Sequence, residues 1–289
     1  MNRSVESLKA FMAGSRREST LRPVRGVLVV GAGKGGVGTS VVAGLLAVAA
    51  ARSGAQVLLA DGDEAVGSLH LMFGMTDPGP GLAALRGGKV APRDLLVSLA
   101  PGLALLPGGG GGMDATFAVA AADRRVLFRR VAGLYEHFDL VVVDGGSRLD
   151  SVMAACATGA ERLLCVTGSD RISLAGSYAL FKVTRTRFPG LPAELVVNGA
   201  TTRTGQGAHR VVEAATGSFL GAAVPLAGVV PDDQEIRDAL RANRPLHRLA
   251  AAVPALEAAG AIVHRILREH TAALEGDAPL IPLPHARDL

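Results

Sequence analysis

Residues 27–40 read V-L-V-V-G-A-G-K-G-G-V-G-T-S, a run of valine and leucine followed by a turn containing five glycines. Glycine lets the backbone fold around an anion with its N–H groups pointing inward. The dipole of a following helix also favours negative charge at the helix N-terminus. The apolar residues after Ser40 have the composition of such a helix. The stretch therefore predicts a strand, a phosphate-binding loop and a helix, in that order.

The pattern repeats along the chain, because short apolar runs alternate with longer stretches rich in Ala, Leu and Arg. Continuous apolar runs bounded by Gly, Asp or Pro are typical of strands buried on both faces of a sheet. Strand and helix alternation predicts an α/β fold, a doubly wound and mainly parallel sheet flanked by helices. The predicted strands are 26–30, 56–60, 103–106, 139–143, 162–167, 194–197 and 224–230, and the predicted helices are 39–53, 116–137, 171–187, 208–219, 232–242 and about 246–270.

The composition gives no indication of a nucleic-acid-binding protein and argues against disulfide-rich and membrane-spanning proteins. The chain has 289 residues and a formal net charge of +4, which is too small to indicate nucleic-acid binding by itself. Two cysteines cannot form a disulfide framework, and the longest apolar run, residues 41–51, is too short to cross a bilayer. A soluble, cytoplasmic protein is expected. We expect an N-terminal segment over 1–24 with a short helix at 2–14, one domain over 25–270, and an irregular tail over 271–289.

The glycine-rich loop resembles the deviant Walker A motif of the MinD/ParA family of P-loop ATPases, K-G-G-x-G-K-[ST]. The resemblance implies binding of ATP or ADP with Mg²⁺ and an ATP-dependent homodimer. In the family, the first lysine reaches across the dimer to the partner's nucleotide, and it corresponds to Lys34. The hydroxyl that ligates Mg²⁺ corresponds to Ser40. The nucleotide-binding residues implied are Gly33, Lys34, Gly35, Gly36, Val37, Gly38, Thr39 and Ser40.

The second lysine of the motif, which meets the β- and γ-phosphates, is replaced by Thr39. A hydroxyl cannot supply a positive charge to the transferred phosphate. The chain has only four lysines among its 30 basic residues, and Lys34 is the one lysine of this loop. Either Lys34 compensates for the missing charge in a dimer, or the protein binds nucleotide and hydrolyses it poorly. The sequence predicts an ATPase of weak or lost activity.

Carboxylates follow two of the predicted strands. Residues 58–63, L-L-A-D-G-D, resemble the family's D-x-D motif, which implies that Asp61 lies near Mg²⁺ and that Asp63 positions the attacking water. Residues 139–144, D-L-V-V-V-D, have the Walker B layout, in which Asp144 holds Mg²⁺ through water. Gly145 stands where the family usually has threonine. The implied catalytic residues are Lys34 and Asp63, and the implied metal residues are Ser40, Asp61 and Asp144.

The family's purine contacts fall on residues near the ends of two later strands. Asn198 ends a strand, and the resemblance favours a contact with adenine over a helix-capping role. Pro231 and Asp232 open a helix in the family's base-binding loop, where an acidic residue also suits a helix N-terminus.

Longer stretches are similar to the FlhG branch (also called FleN), which regulates the number and placement of flagella. They are residues 58–74, 101–109 and 230–246. In that branch an N-terminal D-Q-A-x-x-L-R helix activates the GTPase FlhF through its glutamine. Residues 4–9 keep only the leucine and a basic residue, which argues against GTPase activation. The implied partner is an FlhF-like GTPase or another polar assembly protein.

The family also has a C-terminal amphipathic helix for peripheral membrane contact. Here the candidate apolar stripe is Ile262, Val263, Ile266 and Leu267. Because the stripe is short and Pro254 interrupts its approach, packing on the sheet is favoured over membrane contact.

Other readings remain open. The loop K-G-G-V-G-T-S also resembles the CpaE/TadZ proteins of pilus assembly, although only about 24 residues precede it where those proteins usually have a receiver-like domain. A DNA-partitioning ParA would use surface arginines, namely Arg203, Arg210, Arg237, Arg241, Arg244 and Arg248. An iron–sulfur reductase is rejected, because the loop after Leu106 contains no cysteine and Cys165 lies in an apolar strand.

Overall fold

The computed structural model describes residues 26–64, 67–109 and 121–275. Its strands are β1 (Gly26–Ala32), β2 (Val57–Asp61), β3 (Val97–Ala100), β4 (Leu103–Leu106), β5 (Leu140–Gly146), β6 (Arg162–Thr167), β7 (Ala193–Asn198) and β8 (Leu226–Val230). They form one sheet in the order β3-β4-β2-β5-β1-β6-β7-β8. All neighbouring strands are parallel except β3 and β4. The predicted fold class is confirmed.

Helices cover both faces of this sheet. They are α1 (Thr39–Arg52), α2 (Leu69–Met72), α3 (Ala121–Ala132), α4 (Leu149–Cys156), α5 (Arg171–Arg187), α6 (Thr202–Leu220), α7 (Gln234–Arg241) and α8 (Pro254–Glu275). Short 3₁₀ helices lie at Leu82–Gly87, Pro92–Leu95, Tyr135–His137 and Leu246–Arg248. One core layer lies between the sheet and α1, α7 and α8, and the other between the sheet and α3 to α6.

The sequence missed three elements, namely the short helix α2, the strand β3 and the helix α4, and it misplaced some ends. β3 is an antiparallel edge strand with half-buried residues, so it lacks the continuous apolar run of a central strand. α4 has eight residues, too few for a clear periodic pattern. The last helix begins at Pro254 and continues to Glu275, past the predicted end near 270. The predicted helix at 2–14 and the tail from 276 lie outside the described residues.

β1 lies at the centre of the sheet, between β5 and β6. Residues 57–146 build the sheet on one side of β1, and residues 162–230 build the other side. Ligands of doubly wound sheets bind at such a switch point, outside the carboxyl ends of the strands. The glycine-rich loop after β1 lies at this point.

Candidate functional site

The glycine-rich loop joins β1 to α1 and uses left-handed backbone conformations to do so. Gly36 has φ of 82° and Gly38, the residue before α1, has φ of 86°. Residues with a Cβ rarely adopt these values, which explains glycine at both positions. Gly38 caps α1 without a side-chain hydrogen bond, so the first N–H groups of α1 are left for a ligand.

The base of the loop is fixed by two close contacts. A Cβ at Gly33 would lie 1.9 Å from the carbonyl oxygen of Gly176 in α5, and a Cβ at Gly31 would lie 2.8 Å from Val152 in α4. Glycine therefore lets the loop pack directly on both helices. This geometry holds the loop in one conformation before any ligand arrives.

We predict that Gly33→Ala lowers the free energy of unfolding by about 1–3 kcal/mol, because the added methyl group overlaps backbone atoms that cannot rotate away. Gly190→Ala is the matched control, since a Cβ there meets nothing within 4 Å and its φ is not positive. Urea denaturation of both variants measures the difference. Equal stability of the two variants would show that the loop and α5 can separate without cost.

Asn198, at the end of β7, contacts the glycine-rich loop. Its Nδ2 donates a hydrogen bond to the carbonyl oxygen of Val37 over 2.9 Å. A Cβ at Gly38 would lie 2.3 Å from the same nitrogen. The Asn198 side chain thus binds the backbone of the phosphate-binding loop. This role differs from the two expected from the sequence, which were adenine contact and helix capping.

The acidic residues after β8 bind groups of α7 and α8. Asp232 forms an ion pair with Arg237, while Asp233 accepts the N–H groups of Glu235 and Ala255 and caps α7. Neither Asp232 nor Pro231 lines the cleft beside the glycine-rich loop.

Two carboxylates meet where β2 and β5 end side by side. Asp61 pairs in register with Asp144, and they are only 3% and 4% exposed. Burial, reinforced by the nearby charge of Asp144, raises the pKa of Asp61 to about 7, although the N–H groups of Asp63 and Leu69 donate to its oxygens. Burial also raises the pKa of Asp144, against the opposing hydrogen bonds from Ser40 and from the N–H of Gly146.

The loop, Asp63 and the end of β5 enclose a cleft of about 320 Å³. Ser40 lines this cleft, and its hydrogen bond to Asp144 joins the start of α1 to the end of β5. Asp63 is exposed, and its carbonyl oxygen accepts the N–H of Gly109 over 2.7 Å. The implied catalytic and metal residues other than Lys34 therefore lie at one edge of the sheet.

This donor set fits a phosphate-bound Mg²⁺ ion. Mg²⁺ in nucleotide sites keeps several waters and takes only one or two carboxylates besides the phosphates. Asp144 and the hydroxyl of Ser40 meet that requirement, since they already contact one another. Burial raises the pKa of both Asp61 and Asp144, so a cation bound beside them would favour their charged forms.

Lys34 and Thr39 occupy different surroundings. Thr39 is the first residue of α1 and lines the cleft, yet it is 7% exposed. Lys34 does not line the cleft. Its charge acts on Asp170, whose pKa is lowered first by hydrogen bonds from the hydroxyl and N–H of Ser173 and further by Lys34. The charge of Lys34 is therefore felt at the start of α5.

A buried ion-pair network that the sequence did not predict lies beneath the cleft. Arg124 of α3 is fully buried, and its guanidinium binds both oxygens of Glu64, which is 3% exposed. It also binds Asp150 of α4, whose other partner is Arg148. Burial opposes these bonds, but the pKa of Asp150 is lowered on balance because both arginines hold the charged form. The network connects the segment after β2 with the segment after β5.

Comparison with known proteins agrees with this geometry. A family model described as ParA, NUBPL iron-transfer P-loop NTPase, matches residues 23–94. The chain is 26% identical to antiactivator FleN of Pseudomonas aeruginosa over 80% of its own length and 82% of FleN. Over residues 23–94 the chain is thus similar to the ParA family of P-loop NTPases.

Two further similarities are informative. The flagellum site-determining protein YlxH of Helicobacter pylori is 27% identical over 54% of this chain and 52% of YlxH. The fold is similar to that of septum site-determining protein MinD of Pyrococcus horikoshii, whose structure was solved with Mg-ADP. The TM-score is 0.66, and the two chains are 22% identical over 83% of this chain and 95% of that one.

Other surfaces of the chain bear on its partners. Ile262, Val263 and Ile266 of α8 are buried in the core layer that contains α1, so packing on the sheet is confirmed. No helix among the described residues has the length and apolar character needed to span a membrane. Three of the surface arginines, Arg237, Arg241 and Arg244, are paired with acidic side chains, as expected of a solvated helix face.

Proposed function

We propose that the chain is an ATP-binding, dimerising switch that regulates the placement or number of flagella and hydrolyses ATP weakly. The observation that carries the proposal is the cleft lined by the glycine-rich loop and Ser40, with the buried Asp61–Asp144 pair beside it. Similarity to FleN over four fifths of the chain supports the biological role.

In this proposal the residues of the cleft bind a nucleoside triphosphate with Mg²⁺. The N–H groups of residues 33–40 surround the phosphates, and Ser40 with Asp144 holds the metal while Asp61 lies beside it. When bound, Mg²⁺ neutralises phosphate charge. Asp63, which is exposed at the cleft, orients the attacking water. Asn198, Pro231 and Asp232 contact adenine at the ends of β7 and β8.

Dimerisation follows in this proposal from the position of Lys34. Because this lysine lies near Asp170 and not among the residues lining its own cleft, it is placed to act on the phosphates of a second copy. ATP then brings two glycine-rich loops face to face, and loss of the γ-phosphate returns the monomer.

We expect Thr39→Lys to raise the rate of ATP hydrolysis by at least about tenfold, because it restores a charged contact to the terminal phosphates. Release of inorganic phosphate under saturating Mg-ATP measures the rate. Thr186→Lys on the exposed face of α5 is the control and should leave turnover unchanged. Turnover that is already fast in the unaltered protein would contradict the weak hydrolysis proposed here.

The flagellar role rests on the similarity to FleN and to the flagellum site-determining protein YlxH. We propose a cytoplasmic protein that contacts an FlhF-like GTPase or another polar assembly protein. A CpaE/TadZ-like scaffold for pilus assembly is the second candidate, and Thr39 in place of the second lysine favours it.

The biological test is a count of flagella and pili on cells that lack the protein or carry Lys34→Ala. The proposal predicts altered number or position of flagella in both strains and unchanged pili. Lost pili with normal flagella would support the scaffold instead. If chromosome or plasmid partitioning alone fails, the protein acts as a DNA-partitioning ATPase and the flagellar proposal is wrong.

A further inference from the structure

The cleft contains a cation that the family motif does not provide. Among the described residues that line it, Arg148 is the one with a positively charged side chain, whereas Asp63 and Glu64 carry negative charge. Arg148 is the residue immediately before α4 and is 51% exposed. A triphosphate entering this cleft meets one guanidinium and no lysine of the same chain.

The segment that carries Arg148 runs beside the glycine-rich loop. A Cβ at Gly35 would lie 3.4 Å from the hydroxyl oxygen of Ser147, the neighbour of Arg148. Gly146 turns the chain there with φ of 63°, and its N–H donates to Asp144 over 2.9 Å. The turn therefore fixes the start of the Arg148 side chain next to the phosphate-binding loop and the metal-binding carboxylate.

Arg148 forms only long hydrogen bonds with its partner, Asp150. Its Nε and Nη2 atoms lie 3.4 Å and 3.3 Å from the carboxylate oxygens of Asp150, near the upper limit for a hydrogen bond. Asp150 also accepts a shorter bond from buried Arg124. Because Arg124 continues to compensate Asp150 when Arg148 turns away, Arg148 can change partner without leaving an isolated carboxylate behind.

We propose that Arg148 binds the terminal phosphates of the nucleotide in the cleft of its own chain. It thereby supplies the positive charge that the motif's second lysine would provide at position 39. A guanidinium group binds phosphate through paired, charge-assisted hydrogen bonds. Arg148 can therefore contact the phosphates although it enters the cleft from the segment after β5 and not from the start of α1, where Thr39 lies. This inference rests on the proposed function, since it assumes that the cleft binds ATP. It assigns Arg148 to nucleotide binding, in addition to the residues of the glycine-rich loop.

The first test measures the dissociation constant of Mg-ATP by calorimetry. Arg148→Ala should weaken binding about 10- to 100-fold, because a hydrogen bond to a charged group is lost. Its unfolding temperature without nucleotide should stay unchanged. Arg93→Ala is the matched control, since Arg93 is 76% exposed, pairs with the neighbouring Asp94 and lies outside the cleft. It should bind Mg-ATP as the unaltered protein does.

The second test asks whether a lysine makes Arg148 dispensable. Thr39→Lys in the Arg148→Ala background should restore affinity to within about threefold of the unaltered protein, a non-additive result that a structural role would not give. No rescue, or ATP binding by Arg148→Ala equal to that of the unaltered protein, overturns the inference and leaves the proposed function standing. Absence of ATP binding by the unaltered protein overturns the proposed function itself.

Discussion

Arg124→Met is expected to lower the free energy of unfolding by about 3–5 kcal/mol, because it leaves Glu64 charged and buried without its partner. Arg124 is fully buried and Glu64 is 3% exposed, so water cannot replace the lost contact without opening the structure. Methionine keeps much of the volume of arginine, which limits the contribution of a cavity. The expected fall in the unfolding temperature is roughly 10 °C, measured by calorimetry without nucleotide.

The double variant Glu64→Gln with Arg124→Met is the control for this prediction. It removes both charges, so it should recover most of the lost stability. Arg93→Ala, which breaks a surface pair, should change stability by less than about 1 kcal/mol. Normal stability of Arg124→Met would mean that the ion pair does not hold the segments after β2 and β5 together.

Asp61 is expected to make the nucleotide-free protein less stable as the pH rises from about 4 to about 8. In the unfolded chain this carboxyl titrates at 3.8, but burial and the charge of Asp144 raise its folded pKa to about 7. Between those values the folded state holds the extra proton, so the free energy of unfolding falls with rising pH. The stabilisation is complete below the unfolded pKa and is lost as the pH passes through the folded one.

The size of this effect is about 4 kcal/mol, the energy equivalent of the rise in pKa. Asp144 titrates in the same direction for the same reason, so it adds to the slope. Chemical denaturation across the pH range, without Mg²⁺ or nucleotide, should show the slope reduced in Asp61→Asn. Asp94→Asn, at a site 58% exposed, should keep the slope of the unaltered protein. An unchanged slope in Asp61→Asn would contradict the raised pKa.

Most of the sheet could be predicted because central parallel strands are apolar along their whole length. β4 and β6 match their predicted bounds, since turns or polar residues delimit both runs. β3 could not be found in this way, because an edge strand has one unpaired side and an irregular burial pattern. α5 was predicted at its observed bounds because Asp170 caps its first turn and a proline follows its end.

The phosphate-binding loop could be predicted because its geometry is encoded locally by glycines at 36 and 38. The side-chain contacts around the loop and the cleft could not be predicted from the sequence, because they join residues that are far apart in the chain. Asn198 reaches Val37 across 161 positions, and Arg124 reaches Glu64 across 60. One signal was available for Arg148, namely a basic residue soon after the Walker B aspartate, but only the fold places it in the cleft.

The central claim is that ATP converts this chain from a monomer to a dimer through Lys34. The most direct test is the molar mass in solution, measured by light scattering with Mg-ATP and with Mg-ADP. The unaltered protein should have about twice the monomer mass with Mg-ATP and the monomer mass with Mg-ADP. Lys34→Ala should stay monomeric with both nucleotides, while Lys182→Ala on the exposed face of α5 should behave as the unaltered protein does. A protein that binds ATP and remains a monomer would contradict the claim.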